Sequence, residues 1–138
     1  MIKTEQDIER DFYTYVKAST LGQTITGSVY RSGMRPDDAE TEDVVVKLLT
    51  GIDSQVQEGI IILNIYVPDV YAGSRRKVID HARIATLQTA LTDMMNNAAS
   101  DFEYHVRADA TPQTLALEGV DVAQHLIYAR IRYRYCTE

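Results

Sequence analysis

The sequence predicts an α+β fold: an antiparallel sheet of about five strands with a projecting hairpin, packed by an N-terminal helix and a long central helix, in the order α-β-β-β-α-β-β. Three observations predict it. An amphipathic helical pattern opens the chain, an apolar and β-branched run at 59–67 has strand composition, and a second helical pattern precedes a final alternating strand. A length of 138 residues suits a single domain covering 1–138.

Composition narrows the class of protein. The formal net charge of −6 disfavours attraction to phosphates, so specific nucleic-acid binding is not expected. A single cysteine, Cys136, excludes a disulfide within the chain and favours a reducing compartment. No apolar run resembles a signal peptide, and none approaches the roughly 18 residues of a membrane span. These features predict a soluble, cytoplasmic protein without a membrane partner.

A capping signal marks the start of the first helix. Thr4 is the predicted N-cap, and Asp7 follows three residues later as in a capping box. The helix is predicted to end near Leu21 and Gly22, where glycine permits a left-handed cap. One face of this helix carries side chains at helical spacing, namely Ile8, Phe12, Tyr15, Val16 and Ser19.

Three strands are predicted before the central helix, at 25–31, 43–49 and 59–67. The turn at 50–55 is too short for a crossover helix, so the second and third strands should form an antiparallel hairpin, which could also project beyond the domain. Pro68 has no amide proton to give to a ladder, so pairing should stop there.

Both faces of the second and third strands are apolar. A strand of this kind is either covered on both sides or meets another subunit. The two helices can cover one face of the sheet, but too little chain remains to cover the other. Because a large exposed apolar patch usually marks a site of association, the pattern predicts self-assembly.

The central helix is predicted at 75–96, with Ser74 as its N-cap. Arg75, Arg76 and Lys77 then fall in its first turn, where the helix dipole disfavours positive charge. Two interpretations stay open: a solvated, slightly unfavourable helix start, or a partner whose carboxylates lie nearby.

The last two strands are predicted at 102–108 and 125–135, joined by a connection at 109–121. The final strand alternates cleanly, so its arginines form a row on one face, where like charges repel unless they are solvated or matched by acids. One face of this strand carries Ile127, Ala129, Ile131, Tyr133 and Tyr135, and the other carries Leu126, Tyr128, Arg130, Arg132 and Arg134.

Three interpretations of the arginine row stay open. It is a solvated outer face, it contacts acids on a neighbouring copy, or, more weakly, it contacts nucleic acid. The polar loop before the second strand is either solvated or supplies those acids. The candidate oligomer interface therefore comprises Arg130, Arg132, Arg134, Asp37, Asp38, Glu40, Glu42 and Asp43.

No catalytic signature stands out. His81, His105 and His125 are isolated from one another and from Cys136, without the spacing of metal ligands. The sequence contains no nucleophile elbow, phosphate-binding loop or dinucleotide fingerprint. We therefore expect no catalytic residue, no metal, no cofactor and no enzymatic activity.

The order of elements along the chain forms a pattern. It runs through the N-terminal helix, residues 27–30, a loop with Pro36, valines 44–46, a hairpin ending at 59–68, a helix with Ala82, Leu87 and Leu91, and the strand at 125–135. In this order the chain resembles the tail-terminator or tail-completion family of long-tailed phages, often described as minor capsid or neck proteins. The resemblance covers nearly the whole chain and is a pattern of elements without invariant chemistry.

The resemblance implies a ring, commonly a hexamer, that caps the tail tube and faces the head–neck connector. The implied partners are copies of the chain itself, the tail tube and neck proteins, and the implied location is the virion tail or neck after assembly in the cytoplasm. A related expectation is a head–tail joining protein. From a different class, the alternative is a small oligomeric enzyme or ligand-binding module with an intersubunit site. A deep pocket holding His81 or His105 with a converging acid would favour that alternative.

Overall fold

The structure, a computed structural model, describes residues 2–52, 56–73, 75–117 and 122–136, and describes side chains outside 50–56. Its helices are α1 (Glu5–Ala18), α2 (Thr20–Thr24) and α3 (His81–Asp101). Its strands are β1 (Val29–Arg31), β2 (Asp43–Ile52), β3 (Val56–Pro68), β4 (Val70–Tyr71), β5 (Lys77–Val78), β6 (His105–Ala108), β7 (Gln113–Ala116) and β8 (Gln124–Cys136).

The predicted α+β class is confirmed, although the number and order of strands differ from the prediction. The main sheet has six strands in the order β1-β2-β3-β8-β6, and β7 pairs with another stretch of β8. All of these pairs are antiparallel except β1 with β2, which is parallel. The sequence reading missed β7 inside the connection at 109–121, and also missed the separate β4–β5 ribbon.

The first helix begins as predicted and ends earlier. The Thr4 side chain accepts a hydrogen bond from the Asp7 amide, and the Asp7 carboxylate accepts one from the Thr4 amide. The helix stops at Ser19, whose side chain then caps α2.

The prediction of a left-handed cap at Gly22 was wrong. Among the described residues only Gly33 and Gly73 have positive φ. Gly22 lies inside α2, where a Cβ atom would press on the carbonyl oxygens of Val16 and Lys17. Glycine is needed there because two backbone segments approach closely, and not because of its φ angle.

The predicted start of the central helix was also wrong. Asp80, and not Ser74, is the N-cap of α3, and its side chain accepts a hydrogen bond from the Arg83 amide. The three cations at 75–77 therefore precede the helix and do not oppose its dipole from within the first turn. None of the described helices is long and apolar enough to cross a bilayer.

Strand β3 lies at the centre of the sheet, and its pairing with β2 confirms the predicted antiparallel hairpin. Its other edge pairs with β8 along its full length, from Val56 beside Cys136 to Pro68 beside Gln124. The β2–β3 hairpin is therefore extended into a three-stranded sheet by β8 over the full length of β3. Its tip at 53–55, where projection was predicted, lies outside the described residues. The strand ends at Pro68, as predicted.

All three helices pack on one face of the sheet. The core formed there contains Ile8, Phe12 and Val16 of α1 and apolar residues of α3, such as Leu87 and Leu91. From the sheet it takes every second residue of the central strands, namely Val44, Val46, Ile61, Leu63, Ile65, Val67, Ile127, Ala129, Ile131 and Tyr133. This alternation confirms the predicted two-faced pattern and leaves the opposite face without a helix among the described residues.

Candidate interaction surfaces

The helix-free face of the sheet is less apolar at its surface than the sequence indicated. Val45, Ile60, Ile62 and Leu126 point to this face, yet each retains only 6–9% of its exposed area. Long side chains stand beside them in register: Arg132 is opposite Ile60, and both Lys47 and Arg130 are opposite Ile62. Aliphatic stems of such residues cover neighbouring apolar surface. The expected large apolar patch is therefore absent from the part of this face that the structure describes.

The three predicted arginines lie on this face, and each has a carboxylate partner within the chain. Asp109 accepts from Arg130 Nε at 3.1 Å and from Arg132 at 3.2 Å. The third arginine, Arg134, pairs with Glu58 at 3.1 Å. Sequence reasoning missed both acids, because neither lies near the row in the sequence. Only the register of β8 against β3 and β6 brings them together.

Cross-strand pairing adds two more cations to the row. Arg107 of β6 stands opposite Arg132, and Lys47 of β2 belongs to the same face. Neither makes a salt bridge within the described part of the chain. We call Lys47, Arg107, Arg130, Arg132 and Arg134 the cationic face. With Asp109 and Glu58 as the only acids paired to it among the described residues, it keeps an excess of three positive charges.

Lowering the pH should protonate Asp109 and so break its ion pairs with Arg130 and Arg132 of this face. The hydrogen bond donated by Arg130 is the main cause that lowers the pKa of Asp109 below its ordinary value of 3.8, and Arg132 adds to it. A lowered pKa means that the stabilisation is present above the unfolded-state value and is lost as the pH falls through the lower, folded-state value. In thermal melts, Asp109→Asn should therefore be less stable than the unsubstituted chain at neutral pH, and this difference should start to shrink below pH 3.8 and vanish once the pH is below the lower, folded-state pKa.

A matched control for this pH effect is Asp93→Asn, since Asp93 is exposed on α3, makes no ion pair among the described residues and lies outside the proposed contact. It should leave the melting temperature nearly unchanged at neutral pH. A stability difference for Asp109→Asn that persists unchanged into acid would contradict the assignment.

Two of the five predicted acids are not surface charges. Glu42 retains 5% exposure and pairs with Arg83 through both carboxylate oxygens at 2.7 Å. Asp43 is fully buried and accepts from Arg35 Nε at 2.9 Å and from the Ser28 amide at 2.8 Å. The prediction that Glu42 and Asp43 belong to an exposed interface was therefore wrong, because both carboxylates are buried and each is paired with an arginine of the same chain.

The other three predicted acids, Asp37, Asp38 and Glu40, are exposed and make no ion pair among the described residues. We call them the acidic loop. Arg35 holds this segment in place: its guanidinium donates to the carbonyl oxygens of Ala39 and Thr41 and lies 4.0 Å from the centre of the Tyr66 ring. Arg35 thus holds the loop against the protein, while the three acids remain exposed to solvent.

The acidic loop lies at the opposite end of the sheet from Arg107, Arg132 and Arg134. Lys47, the β2 member of the cationic face, is only four residues after Asp43. The loop leads into Asp43, which stands beside Tyr66 and, across it, Leu126. Arg132 is six residues further along β8, or about 20 Å at 3.3 Å per residue. Arg107 lies on β6, three strand spacings from β2, or about 14 Å. Among the described residues, no acid of the loop pairs with a member of the cationic face within the chain.

A groove of about 310 Å³ opens between α3 and the segment 106–112. It lies on the helix side of the sheet and its lining is mainly apolar; Arg107 and Arg130, whose side chains point to the helix-free face, also contribute to it. Its apolar wall is formed by Leu91, Met95, Val106 and Ile131, and Asn96 of α3 lies at its polar side.

The histidines do not form the pocket that would favour an enzyme. His81 is exposed at the start of α3, and His105 lines a small depression of about 80 Å³ formed with arginines and a valine, without an acid. His125 Nδ1 lies 2.6 Å from Asp69 Oδ1, a pair that sequence reasoning missed. It joins the segment after β3 to β8 at the end of the sheet.

Within the described part of the chain, no group of three or more His, Cys, Asp or Glu side chains could hold a metal ion. No protein-family model and no curated protein matches the chain.

Proposed function

We propose that the chain is a structural protein of a phage or prophage, a tail terminator or tail-completion protein that assembles into a ring. The observation that supports this proposal best is the pair of opposite charges at opposite ends of one sheet. Exposed acids precede β2 at one edge of the sheet, and Arg107, which makes no ion pair among the described residues, stands on β6 at the other edge, opposite Arg132. Such an arrangement favours contact between copies over contact within a chain.

Complementary surfaces at different places on one protomer give a head-to-tail contact. A contact of this kind repeats from copy to copy and either closes into a ring or continues as a filament. The resemblance of the element order implies closure, commonly as a hexamer, at the end of the tail tube. In that position one rim of the ring faces the tube and the other faces the neck connector. Assembly takes place in the cytoplasm, and the ring then remains in the virion tail or neck.

The first experiment is the solution mass by light scattering over a range of concentrations at low salt, with negative-stain images of the same sample. Rings with a central hole are the expected result. A compact dimer or trimer at every concentration contradicts the ring and favours the intersubunit enzyme or binding module. A monomer is tested again with preformed tail-tube rings, and a monomer there also contradicts the proposal.

Reversing the arginine row should weaken self-association. The triple substitution Arg130→Glu, Arg132→Glu and Arg134→Glu places like charges opposite the acidic loop of a neighbour, so we expect the dissociation constant to rise by at least about tenfold. Sedimentation measures the association, and circular dichroism checks that the fold is retained.

The chain offers a matched control in three other exposed cations, Arg75, Arg76 and Lys77. Replacing these with glutamate makes the same change of net charge and should leave association nearly intact. If the arginine-row variant associates like the control and binds a duplex DNA probe like the control, the row is a solvated face. If it associates like the control but loses binding to the DNA probe, the row is a nucleic-acid contact.

A further inference from the structure

We infer that Met34 and the acidic loop of one copy seat in the groove and on the cationic face of the next copy. The inference rests on the proposed self-assembly and names the surfaces that make the contact. In this contact an exposed apolar side chain enters an apolar groove, and acids without an ion pair face cations of the next copy.

Met34 is an apolar side chain that the fold presents to solvent. It retains 67% of its exposed area, and its amide donates to the carbonyl oxygen of Arg31 in a turn that contains Gly33 at φ 79°. Asp37 and Asp38 follow within four residues. Because Arg35 fastens the same segment from inside, ordering it on a partner costs less conformational entropy than ordering a free loop would.

The groove offers matching chemistry at the other edge of the sheet. Leu91, Met95, Val106 and Ile131 form its apolar wall. Its volume of about 310 Å³ is at the lower end of ligand pockets, which suits a single side chain better than a cofactor. Methionine is flexible and adapts to irregular apolar sites. At the rim, Arg107 is exposed and unpaired in the described part of the chain.

The spacing allows both contacts at once. Asp38 lies four residues after Met34, a reach of at most about 14 Å. On the other copy, Arg107 lines the groove and belongs to β6, the edge strand of the sheet, while its side chain points to the helix-free face. With a methionine in the groove, the acidic loop therefore has to pass only this edge strand for its acids to reach Arg107.

Cross-linking between two singly substituted chains tests the contact. Both chains carry Cys136→Ser, which removes the exposed free thiol. One adds Met34→Cys and the other adds Asn96→Cys in the groove. After mixing under assembly conditions, a short bismaleimide should join the two chains into a heterodimer. Ile2→Cys, at a position that is 59% exposed, replaces Met34→Cys in the control.

A second pair of variants needs no thiol. Met34→Lys should raise the concentration for half-assembly by about tenfold or more, because a charge would enter an apolar groove, whereas Ile2→Lys should not. Rings that form with no cross-linking above the control and with an unchanged Met34→Lys variant overturn this contact and leave ring assembly standing. Failure of the unsubstituted chain to associate, alone or on tail-tube rings, overturns both.

Discussion

Replacing Asp43 with alanine should lower the free energy of unfolding by about 3–5 kcal/mol, because it removes one partner of a buried ion pair. The fully buried carboxylate accepts hydrogen bonds from Arg35, from the Thr41 hydroxyl and from the Ser28 amide. Without it the Arg35 side chain, only 9% exposed, keeps a charge with no carboxylate beside it. Urea unfolding followed by circular dichroism measures the change.

Asp38→Ala, measured like Asp43→Ala at a concentration at which the chain is monomeric, is the matched control, since it removes an exposed carboxylate from the same loop and should change stability by less than about 0.5 kcal/mol. Equal effects of the two substitutions would contradict the assignment of Asp43 as the anchor of the segment. Because Arg35 also positions the acidic loop, Asp43→Ala should weaken self-association even under conditions in which the chain remains folded.

Replacing Phe12 with alanine should cost about 3–5 kcal/mol, the usual range for removing a buried aromatic side chain. Phe12 is 2% exposed and lies at the centre of an aromatic cluster. Its ring centre is 5.0 Å from Phe102, 5.0 Å from Tyr104 and 5.6 Å from Tyr133. The cluster joins α1 to the end of α3 and to β8, so the loss extends over three elements. Thermal and urea unfolding both report it.

Tyr71→Ala is the control for this substitution, because Tyr71 is an aromatic residue that retains 65% exposure. It should change stability little. A small effect of Phe12→Ala, close to that of the control, would mean that the surrounding rings close the cavity without loss, contrary to the close packing described above.

The parts of the fold that could be predicted are those with a strong local signal. The capping box at Thr4 and Asp7 is read directly from residue types and spacing. Strand β3 is a long β-branched run, and β8 alternates over its whole length, so their faces follow from the period of a strand. In each case the evidence lies within about a dozen neighbouring residues.

The parts that could not be predicted depend on contacts between distant residues or on very short elements. Strands β4 and β5 have two residues each, too few to show a period. Asp109 looked like part of a loop, and only the β6–β8 register places it beside Arg130. Glu42 and Asp43 looked like neighbours of the exposed acids. Their arginine partners lie 41 and 8 residues away in the sequence, and nothing in either pattern signals burial.

The pairing of β3 with β8 also sets the order in which the molecule can form. Ile61 and Ile131 stand side by side in the sheet although seventy residues separate them in the chain. Contacts of such long range slow folding, because a large loop must close before they are gained. During synthesis β2 and β3 can pair as soon as they leave the ribosome, while the second edge of β3 stays unpaired until β8 has also emerged. An unpaired edge of an isoleucine-rich strand can pair with the strand of another chain. Newly made chains should therefore be most prone to aggregation in the interval before β8 emerges.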